Sequence, residues 1–272
     1  MRLRASRVAE PIGFDSLRSL DETRWQSILS GEPAKAAQWL EAAARYGLVE
    51  AQTLFAQLLL DGHALPKDSA RAFRWFRIAA DAGYAPAMNM AGRCLEHAWG
   101  VARDWEAAAA WYRRAAEASL DWAQYNLANM LLRGRGVPRD RPQALDWFLR
   151  AAAQGHAKSM NLVGRFLEEG WEMPANPSAA MAWYRRSAEL GDFRGQFNLA
   201  TCLIQAGRIA ETTPWLQQAA ETGSADFLRE MDVWAQLHPD LCPKPVLQTI
   251  ASRLAAIARG HGGAIPSTMA PA

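Results

Sequence analysis

Cys94 and His97 stand three residues apart, a spacing that on a helix places a thiol and an imidazole where they could share a metal ion. Cys94, however, falls at a place that Leu58, Met130, Phe166 and Cys202 fill elsewhere at a fixed interval, so we read it as a core residue. His63, His97, His156, His238 and His261 share no common offset and form no tight cluster. We therefore expect no metal and no cofactor. Gly134-Arg135-Gly136 is glycine-rich, but a phosphate-cradling loop belongs between a strand and a helix, and the sequence has no strand pattern. Neither HExxH nor GxSxG occurs, so no catalytic residues are assigned. Trp99 and Trp171 stand at one shared offset, while Trp105 and Trp122 are singular. A large aromatic in a loop either anchors a partner or plugs a gap between turns of the fold.

The charge balance narrows the partner. Thirty Lys and Arg against 28 Asp and Glu leave a net charge of +2, which gives no reason to expect nucleic acid. The N-terminal Arg2, Arg4 and Arg7 are not followed by an apolar run of secretory length, and no later segment reaches the roughly 18 apolar residues of a membrane span. Three scattered cysteines suit a reducing compartment. A cytoplasmic protein with no membrane partner is the expectation.

What positions these residues is a repeat. Trp39, Trp75, Trp111, Trp147 and Trp183 follow one another at intervals of 36, and Leu59, Leu95, Leu131, Leu167 and Leu203 keep the same step. Units of 51–86, 87–122, 123–158, 159–194 and a shorter 195–226 result. In each, apolar or small residues at the fifth, sixth and ninth places make one helical face, as Leu127, Ala128 and Leu131 do in the third unit. A turn follows, Gly134 to Asp140 in that unit, where glycine ends the helix. Asp68, Asp104, Asp140 and Asn176 recur as caps for a second helix. Ala144, Trp147, Phe148, Ala151 and Ala152 form that helix's apolar stripe. Two short amphipathic helices cannot cover their own apolar faces, so the units must stack. Residues 1–20 read as an extension, 21–50 as a partial capping repeat, 227–259 as capping helices and 260–272 as a disordered tail.

The combination of small residue, Leu, Gly-x-Gly-Val, Asp, Ala, Trp-Tyr/Phe, Ala-Ala and Gly at 36 residues resembles the SEL-1-like repeat, a relative of the tetratricopeptide repeat. Ser119 in place of the terminal Gly, and the loop from Gly170 to Asn176, depart from it. The resemblance covers roughly residues 36 to 226. It implies an all-α fold, a right-handed α/α superhelical solenoid of stacked helix-turn-helix units, and a bacterial adaptor or regulator that binds a protein or peptide in its concave groove. By analogy with tetratricopeptide repeats, the lining positions include Asn89, Arg93, Tyr125, Asn129, Arg133, Asn161 and Arg165, whose amides and guanidiniums suit a peptide backbone or carboxylate. Trp99 and Trp171 are possible aromatic anchors. A solenoid sensing a small ligand or a cell-wall fragment, and a hydrolase on a repeat scaffold, are the alternatives. The partner's identity and the oligomeric state are not encoded in a single-chain pattern.

Overall fold

The structure, a computed structural model, describes residues 12–260. Among them are fifteen α-helices and no strand: α1 Phe14–Arg18, α2 Glu22–Leu29, α3 Pro33–Arg45, α4 Val49–Asp61, α5 Ser69–Asp81, α6 Ala85–His97, α7 Trp105–Glu117, α8 Asp121–Arg133, α9 Arg141–Ala153, α10 Ala157–Glu169, α11 Pro177–Glu189, α12 Phe193–Gln205, α13 Thr213–Thr222, α14 Ala225–Leu237 and α15 Lys244–Ala258. A short 3₁₀ turn, Ile209–Glu211, precedes α13. The chain forms two compact units that divide between Asp140 and Arg141. In the first, α3 to α7 each pack on the helix that follows; in the second, α9 to α12 do the same and α15 closes against α13 and α14. Within the described residues no helix is long and apolar enough to cross a membrane.

The repeat explains the geometry. α4, α6, α8, α10 and α12 are the first helices of the units, each 13 residues long and each starting two residues ahead of the unit boundaries drawn from the sequence. α5, α7, α9 and α11 are their 13-residue partners. The expected caps hold at three sites: Asp68 accepts from the Arg71 N–H and Asp104 from the Ala107 N–H, both at 2.9 Å, and Asn176 from the Ala179 N–H at 3.0 Å. These three residues, and Asp140 at the same register, also close the loop behind them, since the backbone N–H of Asp68, Asp104, Asp140 and Asn176 donates to the carbonyl of Leu59, Leu95, Leu131 and Leu167. A residue that must cap one helix and staple the end of another explains why this register is so strict.

Burial follows the predicted stripes. Phe76, Tyr112, Phe148 and Tyr184 are fully buried on the second helices, packed among alanines such as Ala79, Ala115, Ala151 and Ala188. Each such aromatic contributes about 1.5–3 kcal/mol by leaving water, and the small neighbours let the helices approach closely enough to enclose it. In the second unit the end of the array is sealed by Phe227, Leu228 and Met231 of α14 with Val246 and Ile250 of α15. Helix α14 begins at Ala225 and so straddles the boundary drawn at 226/227. The tail expected from 260 onward lies, beyond Gly260, outside the described residues.

Candidate functional site

The first helices of the first unit hold a polar hollow. α6 and α8 enclose a space of about 180 Å³ lined by Glu96, His97, Tyr125, Asn126, Asn129, Met130, Arg133 and Arg135. Three residues expected at the groove, Tyr125, Asn129 and Arg133, come together here. The Asn129 Nδ2 donates to the Tyr125 carbonyl at 2.9 Å, which turns its Oδ1 into the acceptor available to a ligand. Arg133 is exposed at the rim. Glu96 is held from behind by the Tyr112 hydroxyl, which donates to its Oε2 at 2.7 Å. Burial lowers the His97 pKa; Glu96 pulls the other way, and the nearby Arg93 and Arg103 depress it further.

Asn89 and Asn161 do something else. Both are buried, and each Oδ1 accepts a hydrogen bond at 2.8 Å from an asparagine on the following first helix, Asn126 for Asn89 and Asn198 for Asn161. These amide pairs fix one first helix against the next. Their signal was in the sequence as a partner 37 residues on, but it shows only when both halves of the pair are sought at once. Arg93 and Arg165 are stacked on the two tryptophans of shared offset, with guanidinium carbons 5.0 Å from the Trp99 ring centre and 5.6 Å from that of Trp171. Trp99 also stacks on His97 at 4.9 Å, while Trp171 meets Phe166 edge-on at 5.4 Å. Both rings are half-buried; Trp99 packs on Arg93 and His97 of its own repeat, while Trp171 also lies under Arg141 of the preceding repeat, 5.1 Å from its ring centre, and each keeps one part exposed.

These pairs belong to a longer period that the 36-residue reading passes over. Alternate repeats carry Gly92, Arg93, Glu96, Trp99 and Tyr112, and again Gly164, Arg165, Glu168, Trp171 and Tyr184, at an interval of 72. The repeats between them hold Ala56 and Ala128, Leu60 and Leu132, Phe76 and Phe148 at the corresponding places. The reason is packing. The Tyr184 hydroxyl donates to Glu168 at 2.6 Å as Tyr112 does to Glu96, which pins the ring, and a Cβ on Gly92 would then stand 2.7 Å from the Tyr112 ring. Gly92→Ala is therefore expected to cost about 1–3 kcal/mol. Adding Glu96→Leu and Tyr112→Phe, which recreates the set Ala128, Leu132 and Phe148, should return most of it. Urea unfolding of the single, double and triple variants measures this coupling; strictly additive losses would refute it.

The remaining chemistry is quiet. Cys94 is fully buried and burial pushes its thiol up to about 12. Among the described residues no three His, Cys, Asp or Glu side chains gather as a metal site would need.

The Sel1 repeat family model matches residues 29–47, 49–84, 85–120, 123–156 and 157–192, more than half of the chain, and stops short of the fifth unit. Among solved structures, the chain is similar to c5321, a protective antigen present in uropathogenic Escherichia coli strains and displaying an SLR fold, at 24% identity and a TM-score of 0.65 over 91% of this chain. It spans 58% of that antigen's length. A Sel1 repeat protein from Oxalobacter formigenes is similar at 24% identity and a TM-score of 0.68, over 82% of this chain and 96% of the other. Immunity protein Pa5087 from Pseudomonas aeruginosa is similar at 14% identity and a TM-score of 0.54, over 82% and 87%. At these identities the likeness is one of fold. No curated protein matches the sequence.

Proposed function

Because the chain belongs to the Sel1 repeat family, whose fold commonly serves as a protein-interaction scaffold, we propose that it is a non-catalytic adaptor that binds a protein or peptide across the first helices of its first unit. The observation that carries this reading is the hollow between α6 and α8. It offers an acceptor on Asn129, a donor fork on Arg133 and the ring of Tyr125 within one space, a combination that suits a peptide's backbone and one polar side chain. The cytoplasm is the compartment that accords with three buried thiols, Cys94, Cys202 and Cys242.

Co-purification from the native host tests it. Wild type is compared with a Tyr125→Ala, Asn129→Ala, Arg133→Ala variant and with Arg114→Ala, a change to an exposed residue on α7, after circular dichroism shows that all are folded. Truncating residues at the centre of an interface costs about 1–3 kcal/mol each. The expected result is a partner held by wild type and by Arg114→Ala and reduced more than tenfold in the triple variant. Equal capture by all three would remove the binding site from this face.

A further inference from the structure

We propose that the partner segment received at this hollow is acidic, and that Arg93, Arg103, Arg133 and Arg135 are the residues that read its carboxylates. This deepens the reading above and rests on it.

The four guanidiniums belong to one unit, and three of them, Arg93, Arg103 and Arg135, are braced on tryptophan rings. Arg103 precedes α7 and Arg135 follows α8, yet both lie over the same indole, with their guanidinium carbons 5.4 Å and 5.2 Å from the Trp105 ring centre. Arg135 is delivered there by the loop itself, because Gly136 sits directly against the Trp105 backbone carbonyl. Arg93 is braced on Trp99 at 5.0 Å. Arg133 and Arg135 line the hollow, and His97, which lines it too, feels the charge of both Arg93 and Arg103.

Four like charges gathered in this way repel one another and need counter-charge. Among the described residues none of the four is in an ion pair. Glu96, which lines the hollow and accepts from the Tyr112 hydroxyl, and Asp104, which caps α7, supply two negative charges in this region against the four positive ones, and neither is ion-paired with any of the four arginines. An arginine stacked on an aromatic face keeps its N–H edge outward and loses less side-chain freedom when a carboxylate docks with two parallel bonds. Arg103, Arg133 and Arg135 are exposed. The chain as a whole carries only +2, so this is a local focus and not a tract along which a nucleic-acid backbone would run. Asn129, beside it, offers a carbonyl to a peptide N–H. Together they favour a peptide over a nucleic acid.

The full chain is titrated against a fluorescein-labelled, C-terminally amidated hexaglutamate peptide with Gly-Ser flanks, its hexaglutamine counterpart, and a single-stranded dT12 oligonucleotide, by fluorescence anisotropy. We expect the glutamate peptide to bind at least tenfold more tightly than the glutamine one. The advantage should shrink severalfold as salt rises from 50 to 300 mM, because it is electrostatic. It should also fall at least tenfold in an Arg103→Gln, Arg135→Gln variant, two exposed positions, once circular dichroism shows that the variant is folded. Equal affinity for the two peptides, an unaffected variant, or tighter binding of the oligonucleotide would each overturn the proposal. If the peptides bind equally while the Tyr125, Asn129 and Arg133 variant still loses its natural partner, the acidic reading fails and the adaptor reading stands.

Discussion

Gly136→Ala is expected to destabilise the protein by about 3 kcal/mol, the sum of roughly 1–2 kcal/mol for a side chain in left-handed backbone and roughly 1–3 kcal/mol for overlap. Gly136 has φ +66°, and a Cβ there would run into the Trp105 carbonyl at the start of α7. Backbone cannot step aside as a flexible side chain can, so the loop after α8 would have to lift off α7. Gly134, two residues earlier, also has positive φ, but its Cβ would stand 3.3 Å from the Arg139 Cβ and meet nothing rigid at closer range. The chain itself supplies the control: Ala98 occupies the equivalent place 36 residues earlier with φ +59°. Gly134→Ala should cost only about 1 kcal/mol. Urea unfolding followed by circular dichroism compares the two. Equal losses would mean that the close approach of loop and helix is not what requires glycine at 136.

Acid should weaken the second unit through His156. This imidazole is buried at the start of α10, where its Nδ1 accepts from the Ser159 N–H at 3.2 Å and lies 2.9 Å from the Ser159 hydroxyl oxygen. Burial first, and the charge of Lys158 second, push its pKa down to about 4. The folded state therefore holds the proton less well than the unfolded chain, whose histidine titrates at about 6.5. Stability from this group is intact above pH 6.5 and is lost as pH falls from there toward 4, by about 3 kcal/mol at pH 4. His156→Asn keeps a capping oxygen for the Ser159 N–H and has nothing to titrate. Relative to wild type the variant should gain about 3 kcal/mol between pH 7 and pH 4 in urea unfolding; carboxylates elsewhere act on both proteins alike and cancel. Parallel pH curves would show that His156 is not the acid-sensitive cap.

The 36-residue spacing of Trp75, Trp111, Trp147 and Trp183 was enough to read the all-helical solenoid, because every unit must meet its neighbour through the same surface and a shared packing problem leaves a shared register. Asp68, Asp104 and Asn176 could be read as caps for a related reason: a helix start is a local event, decided within a few residues. The hollow was legible in part. Tyr125, Asn129 and Arg133 lie on one face of α8 at a helical spacing, and that face follows from the period alone. What escaped depends on pairs of helices. Whether Asn89 faces a ligand or its neighbour is decided by Asn126, on another helix, and nothing within the unit of Asn89 records it. The stack of Arg103 and Arg135 on Trp105 depends on the path of two loops, which helical periodicity does not describe. The alternation of Gly92 with Ala128, and of Tyr112 with Phe148, was written openly in the chain; averaging the units to find 36 concealed the 72.

The most direct test of the account is site-specific photo-crosslinking in the native host, with a benzophenone amino acid placed in turn at Tyr125, in the hollow between α6 and α8, and at Ile78, an exposed residue of α5. The account predicts a discrete crosslinked partner from position 125, diminished by Arg103→Gln with Arg135→Gln, and none from position 78. A partner crosslinked from 78 and absent at 125 would contradict it and move recognition to the second helices.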